Sequence, residues 1–146
     1  MTATTANSDI FSDAYPEQQS AVRRRLDEIW AACAARDFDL LESFHGYGPK
    51  FTSFKDGAPR EGAVGNAADE RRFFSMLEDN TVDMADLAIN VFGDVAVVTF
   101  NGRYSGVLQD NPISADQQTT MVLVSDDGAW KIVHEHMSPL GPPPGR

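Results

Sequence analysis

The chain has 146 residues, of which 42% are hydrophobic, and this is the size of a single domain with one core. Its formal net charge of -10 at pH 7 argues against nucleic-acid and anionic-membrane partners, because phosphate binding needs clustered Lys and Arg. The single cysteine, Cys33, rules out an intrachain disulfide, and no apolar run is long enough to cross a membrane, so we expect a cytoplasmic protein.

The first half of the chain is predicted to be mainly helical. Residues 1–13 are expected to form a frayed N-terminus, and a single domain occupies residues 14–138. The first helix is predicted from about Pro16 to Ala35, because apolar side chains recur there at helical spacing on one face: Val22, Leu26, Ile29, Trp30 and Cys33. A second, short helix is predicted at about Phe38 to Phe44.

Strands dominate the second half. A short strand at Phe51–Phe54 is followed by a third helix at roughly Asn66 to Glu78, with Phe73, Phe74 and Leu77 on its inner face. Turn residues then separate four longer strands, at Val82–Val91, Val95–Leu108, Ser114–Ser125 and Trp130–Ser138. The tail, residues 139–146, is rich in Pro and Gly and forms neither helix nor strand.

This order of elements predicts an α+β fold. Helices followed by an antiparallel meander give a curved antiparallel sheet with three helices packed on one face. Long strands in a small domain must twist and bend, and we expect bulges at Gly102 or Gly106. A bent sheet capped by helices encloses a conical cavity.

The last predicted strand carries three ionisable side chains in a row, His134, Glu135 and His136. Successive strand side chains point to opposite faces, so the two histidines share one face while Glu135 lies on the other with Val133 and Met137. Whichever face is buried therefore holds a titratable group, and such groups concentrate at functional sites.

The end of the chain resembles a known superfamily. The residues that carry the resemblance are the Asp127-Gly128 turn and then Trp130, Ile132-Val133-His134, His136 and Ser138. This pattern is similar to the closing strand of the nuclear transport factor 2-like superfamily, in particular of the SnoaL-like group close to the association domain of calcium/calmodulin-dependent protein kinase II. Weaker agreement comes from Arg36-Asp37-Phe38, Phe51–Phe54, Glu61-Gly62 and Gly93-Asp94.

The resemblance implies a cone-shaped α+β barrel with a deep pocket, usually a homodimer that meets through the outer face of its sheet. It does not imply one reaction, because the superfamily includes isomerases, cyclases, dehydratases, epoxide hydrolases and non-catalytic binding or assembly modules. The chain also departs from the kinase pattern. Arginines line the kinase pocket, whereas this chain has Met121 and Met137 at those positions, and Arg103 is the one nearby arginine on a central strand.

Glu135 is the main catalytic candidate. If the closing strand follows the kinase domain, Met137 faces the cavity and alternation places Glu135 there too. Burial would raise the pKa of Glu135 and make it a general base or acid for proton transfer at a carbon next to a carbonyl. The alternative is a glutamate at the cavity mouth, solvated or paired with Arg103 or Lys131.

Two residues after the second helix are further candidates. Tyr47 could donate a hydrogen bond to a developing oxyanion, and His45 could act as its partner or as a second acid/base group. The alternative places both on a surface loop. The predicted ligand-binding residues are Trp30, Phe51, Phe54, Phe74, Arg103, Met121 and Met137.

His134 and His136 are predicted to lie on the outer face, together with Trp130 and Ile132, as structural residues of the dimer interface. A metal site on this histidine pair is the alternative, but it needs a third ligand and the only other histidine is His45. We therefore predict no metal.

Two functions remain open. The chain has no nucleophile elbow, glycine-rich phosphate loop or dinucleotide fingerprint, so catalysis is expected to need no cofactor. The first function is that of a SnoaL-like domain that binds a small, mostly apolar organic ligand and transfers protons as an isomerase, cyclase or dehydratase, with Glu135 as base. The second is that of a non-catalytic homodimeric module for ligand binding or assembly.

Overall fold

The predicted order of helices and strands is found in the computed structural model, which describes residues 9–141. Within that range the elements are α1 Pro16–Ala35, α2 Phe38–Ser43, β1 Thr52–Lys55, α3 Ala63–Met76, β2 Leu77–Phe92, β3 Val95–Leu108, β4 Asn111–Asp126 and β5 Ala129–Pro139. The division into residues 1–13, 14–138 and 139–146 stays a prediction, since residues 1–8 and 142–146 lie outside the described residues.

The five strands form one open, curved sheet in the order β1-β5-β4-β3-β2. The four long strands make an antiparallel meander, as predicted, and β1 joins its edge parallel to β5, with Thr52 opposite His134. The three hairpin turns contain residues with positive φ: Gly93, then Gln109 and Asp110, then Asp127 and Gly128. The α+β fold class is confirmed.

The bulges expected in β3 lie instead in its partner, β2. The register between these strands shifts between Glu78 and Thr81 and again between Ala85 and Ala88. Asp79 and Asp86, inside the two shifts, have φ of 51° and 53°. Aspartate tolerates this left-handed conformation better than most residues, so these two aspartates locate the bends of the sheet.

A third irregularity, at Val133 in β5, reverses part of the predicted facing. Ile132 pairs with Leu123 and His134 with Val122, so Val133 is an extra residue that bulges from the ladder. Trp130 and Ile132 consequently face the core, where they are 4% and 0% exposed. The prediction that Trp130 and Ile132 share the outer face with the two histidines is therefore wrong.

Helix α1 packs across the inner face of the sheet. Four residues of its predicted apolar stripe, Val22, Leu26, Ile29 and Cys33, are buried at 2% exposure or less, and the fifth, Trp30, is half-buried. Two side chains fix the helix to the strands: Gln19 Nε2 donates to the Ile89 carbonyl at 2.9 Å, and Arg25 Nε donates to the Trp130 carbonyl at 2.8 Å.

Helix α3 lies over the inner side of the sheet but is held mostly by polar contacts. Asn66 is its one buried residue, whereas Phe73, predicted on the inner face, is 44% exposed. Leu77 is buried but begins β2 and does not belong to the helix. Arg71 forms ion pairs with Asp39 and Glu42 of α2. None of the described helices combines the length and the apolar character that a membrane crossing requires.

We predict that Gly106→Ala destabilises the fold by about 1–3 kcal/mol, because overpacking a filled site forces its neighbours to move. A Cβ atom on Gly106 would lie 2.6 Å from Leu77 Cγ and 3.0 Å from the Glu78 carbonyl oxygen. Urea denaturation measures the loss. The control is Gly48→Ala, where no atom lies within 4 Å of the added carbon. Equal stability of the two variants would contradict the prediction.

Candidate functional site

The inner face of the sheet, α1 and α3 enclose a cavity of about 590 Å³. Most of its wall is apolar, and the residues that form this part of the wall include Ile29, Trp30, Leu41, Phe74, Tyr104, Met121 and Met137. Seven charged residues complete the wall. Four of them lie in contact with one another: His45, Lys55, Glu70 and Glu135. The other three are Asp69 and Arg72, which pair at 2.9 Å, and the exposed Asp56. The cavity therefore combines a largely apolar wall with one concentrated polar region.

The backbone around His45 holds its ring in a fixed orientation. His45 follows α2 and forms a parallel bridge with Ile132, through hydrogen bonds from Ile132 N to the Phe44 carbonyl and from Gly46 N to the Ile132 carbonyl. The Nδ1–H group donates to the Leu41 carbonyl at 2.9 Å. The other ring nitrogen, Nε2, is left to face Glu135.

The four ionisable side chains form a closed ring of alternating charge, here called the charged ring. His45 Nε2 lies 2.9 Å from Glu135 Oε1 and 3.3 Å from Glu70 Oε1. Lys55 Nζ closes the other side, 3.2 Å from Glu70 Oε2 and 3.7 Å from Glu135 Oε2. Each cation thus contacts both carboxylates, and with His45 protonated the two positive and two negative charges balance.

The two carboxylates of the charged ring raise the pKa values of both cations. Burial alone would lower the pKa of His45, but its hydrogen bonds to Glu135 and Glu70 outweigh burial and raise that pKa to about 10. Burial would likewise lower the pKa of Lys55, but the charges of Glu135 and Glu70 raise it.

Glu135 departs from the sequence prediction. Burial favours its neutral form, but the hydrogen bond from His45 and the charge of Lys55 hold the pKa of Glu135 at about 2. The expected rise in its pKa is therefore wrong in direction. The physical reason is that two cations lie against a carboxylate that was expected to be surrounded by apolar side chains.

Tyr47 lies behind His45. The two rings stack with centroids 4.6 Å apart and planes 15° apart. The Tyr47 hydroxyl accepts a hydrogen bond of 2.8 Å from Asn66 Nδ2, and Asn66 is completely buried. Burial raises the pKa of Tyr47. This geometry makes Tyr47 a support for His45 and a contact for α3, and Tyr47 is not among the residues that line the cavity.

The predicted site residues separate into two groups. Those that line the cavity are His45, Glu135, Trp30, Phe74, Met121 and Met137. Phe51 is buried beside Tyr47, with ring centroids 4.8 Å apart. Phe54 and Arg103 do not line the cavity, because strand alternation places both on the outer face. Arg103 there makes a bidentate contact with Asp116, at 2.9 and 3.2 Å.

Lys55 and Glu70 were not predicted from the sequence. Lys55 extends the alternation of Phe51 and Ser53, which are 2% and 1% exposed, so it points to the same inner side of β1. Glu70 lies one turn after the buried Asn66 and shares its face of α3. These spacings could have indicated both residues.

His134 and His136 lie on the outer face with Phe54. The Phe54 ring packs against both imidazoles, with centroids 6.1 Å from His134 and 5.5 Å from His136. His134 Nδ1 forms a hydrogen bond of 2.8 Å with Thr52 Oγ1. Because His45 lies on the inner side of the sheet, it cannot complete a metal site with this pair.

Three members of the charged ring are of types that ligate metals. Donor atoms of His45, Glu70 and Glu135 lie within 4.8 Å of one another. A metal ion here would have to displace both the proton on His45 Nε2 and the Lys55 ammonium, which already neutralise the two carboxylates. The donor set as arranged fits its own lysine better than a metal ion.

A family model for the SnoaL-like domain matches residues 22–142, and the chain belongs to this family. No curated protein sequence matches the chain significantly. The fold is similar to that of a nuclear transport factor 2-like superfamily protein from Salmonella enterica serovar Typhimurium, with TM-score 0.79 and 19% identity over 90% of this chain and 97% of that one.

Two further solved structures are informative. An NTF2-like family protein from Streptomyces avermitilis, for which a dehydratase activity is proposed, has TM-score 0.78 and 18% identity over 87% of this chain and 99% of that one. The CaMKII hub of S. rosetta has a lower TM-score, 0.64, but 28% identity over 83% of this chain and 95% of that one. The predicted relationship to the superfamily and to the kinase hub is confirmed.

The pKa shifts predict how stability depends on pH. The pKa of His45 is raised from 6.5 to about 10, so its contribution is complete below about pH 6.5 and is lost as the pH rises through about 10. The pKa of Glu135 is lowered from 4.5 to about 2, so its contribution is complete above about pH 4.5 and is lost as the pH falls through about 2. Denaturation at a series of pH values should show both losses.

NMR of the His45 ring nitrogens tests directly whether the imidazole is protonated. We expect a doubly protonated imidazole at pH 8, and a lower pKa for His45 in Glu135→Gln because one of its two carboxylates is gone. Glu78→Gln, an exposed change on β2, is the control and should leave the spectrum unchanged. A neutral His45 in the wild type at pH 8 would overturn this account of the charged ring.

Proposed function

We propose that the chain binds a small, mostly apolar organic molecule in the cavity and catalyses cofactor-independent proton transfer, of the kind used by isomerases, cyclases and dehydratases. The observation that carries this proposal is the charged ring in the wall of a largely apolar cavity. A volume of about 590 Å³ is in the usual range for small-molecule sites.

Stability alone is a weak reason for such a cluster. Desolvating a charge costs several kcal/mol, and well-packed apolar residues often stabilise a protein as much as a buried ion pair does. Clusters of perturbed titratable groups in a cavity are more typical of active sites. The name of the Streptomyces avermitilis relative, which indicates a dehydratase, is consistent with proton-transfer chemistry in this family.

The charged ring offers a route for a proton. Glu135 takes a proton from a carbon atom of the ligand. His45 passes its Nε2 proton to Glu70, and the Nε2 atom that is left unprotonated then accepts the proton from Glu135. Glu70, on the cavity wall, returns the proton to a second position of the ligand. Because His45 contacts both carboxylates, one of them can act as base while the other acts as acid.

The test is hydrogen exchange in a simple bicyclic ketone. 2-Tetralone is incubated with the protein in D₂O, and loss of the hydrogens next to the carbonyl is followed by ¹H NMR. We expect the wild type to accelerate exchange and Glu135→Gln to lose about 10²-fold or more of that acceleration. Glu78→Gln serves as the control. Binding of the ketone without accelerated exchange would favour the non-catalytic function.

We also propose that two copies of the chain associate through the outer face of the sheet, with His134 and His136 in the interface. Phe54 is 37% exposed there, between these histidines. The likeness to a kinase hub at 28% identity supports an assembling domain. This association is compatible with ligand binding on the inner face, and without catalysis it corresponds to the alternative function, a homodimeric module.

Analytical ultracentrifugation tests the proposed dimer. We expect a dimeric wild type and a monomeric Phe54→Glu variant, because a buried interface does not accommodate an unpaired carboxylate. Val64→Glu is the matched control, since Val64 is an apolar residue of α3 that is 86% exposed. A wild type that remains monomeric at high concentration would refute the assignment.

A further inference from the structure

We propose that Lys55 is the group that binds the ligand, by donating a hydrogen bond to the oxygen of a neutral carbonyl compound. This inference builds on the proposed function, because it names the ligand class and a residue to which that proposal gives no role. Its evidence is the donor geometry of Lys55 and the charge balance of the charged ring.

One N–H group of the Lys55 ammonium has no acceptor within residues 9–141. An ammonium carries three N–H groups, and those of Lys55 face two carboxylate oxygens, Glu70 Oε2 at 3.2 Å and Glu135 Oε2 at 3.7 Å. Within residues 9–141, Lys55 Nζ makes no further hydrogen bond. Its side chain lines the cavity and is 24% exposed, the highest value in the charged ring. The third N–H is therefore available to a molecule in the cavity.

The position of Lys55 is set by β1. Strand alternation brings Lys55 to the inner side with Ser53, and the parallel pairing of β1 with β5 places it opposite Met137, two residues from Glu135. A carbonyl oxygen that accepts from Lys55 places the neighbouring carbon beside Glu135 and Glu70. If that carbon loses a proton, negative charge develops on the oxygen, where the Lys55 ammonium stabilises it.

Charge balance indicates a neutral ligand. The two cations and two carboxylates of the charged ring compensate one another, and Asp69 and Arg72 of the cavity wall pair at 2.9 Å. Of the charged lining residues, this leaves the exposed Asp56. An anionic or cationic ligand would add an uncompensated charge to a largely apolar cavity, which is costly, whereas a neutral ketone, aldehyde or ester adds none.

Lys55 is not arranged to act as a nucleophile. Attack on a carbonyl requires the unprotonated amine. Burial would favour that form, but the charges of Glu135 and Glu70 raise the pKa of Lys55 and keep the ammonium. Hydrogen bonding by the ammonium is therefore the chemistry that this environment supports.

The experiment measures the carbonyl stretching frequency and the affinity of a bound ketone. 2-Tetralone labelled with ¹³C at its carbonyl is bound to the protein, and its C=O stretch is recorded by infrared spectroscopy. We expect Lys55→Met to weaken binding by at least about tenfold and to move the stretch to a higher wavenumber, because a charge-assisted hydrogen bond is lost. Lys50→Met, at an exposed loop lysine, should change neither quantity.

A second variant separates the loss of the Lys55 hydrogen bond from the charge imbalance that Lys55→Met creates. Lys55→Met leaves the charged ring with one excess carboxylate, whereas Lys55→Met combined with Glu70→Gln restores neutrality and should show the same loss of affinity. The inference is overturned if both variants keep the wild-type affinity and stretch. It is also overturned if the wild type fails to bind 2-tetralone, or binds the anion 2-naphthoate more tightly than the ketone.

These outcomes are separable from those of the proposed function. A wild type that binds 2-tetralone with a lowered stretch but does not exchange its hydrogens would refute catalysis and support the assignment of Lys55. Exchange that depends on Glu135, with an unchanged stretch in Lys55→Met, would support catalysis and refute the assignment of Lys55.

Discussion

The bulge at Val133 determines what the last strand can contribute to both core and cavity. In a regular strand, Trp130 and Ile132 would lie opposite to Glu135, and either the apolar pair or the carboxylate would face outward. The extra residue shifts the alternation, so all three point inward. The hydrogen bonds that link Ile132 to Phe44 and Gly46 form immediately before the bulge and place His45 beside Glu135. The charged ring therefore depends on a local irregularity of the backbone.

Local sequence signals account for most of the fold and for part of the site. The apolar spacing of α1 and the positive-φ residues of the hairpin turns act over a few residues, and the elements predicted from them are present. Bulges are harder to predict, because alternation is the same in sequence whether or not a residue is skipped, as at Val133. Lys55 and Glu70 lie far apart in sequence and far from Glu135, so their meeting depends on how β1 and α3 are placed. The low pKa of Glu135 follows from that meeting, and burial alone predicts the opposite direction.

Loss of a single charge from the charged ring is expected to destabilise the protein, whereas the four charges together compensate one another. Removing one charged side chain from a buried network leaves its partners uncompensated, and this typically destabilises a protein by about 3–5 kcal/mol. With four members in alternation, each charged side chain has two neighbours of opposite sign, at 14% exposure for Glu70 and 3% for Glu135. The proposed proton route uses this arrangement, because His45 Nε2 lies within hydrogen-bonding distance of both carboxylates.

Helix α3 forms part of the cavity wall and also carries Glu70 of the charged ring. Its polar contacts are those of Asn66 with Tyr47 and of Glu70 with His45 and Lys55, and Arg71 binds to α2. Ala63 and Phe74 add apolar contacts with the core. Lys55 Nζ holds Glu70 of α3 at 3.2 Å and is also the donor proposed for a ligand carbonyl. If a ligand binds in this way, its binding and the position of α3 depend on the same ammonium group, and the charged ring then supports the cavity wall as well as forming its polar part.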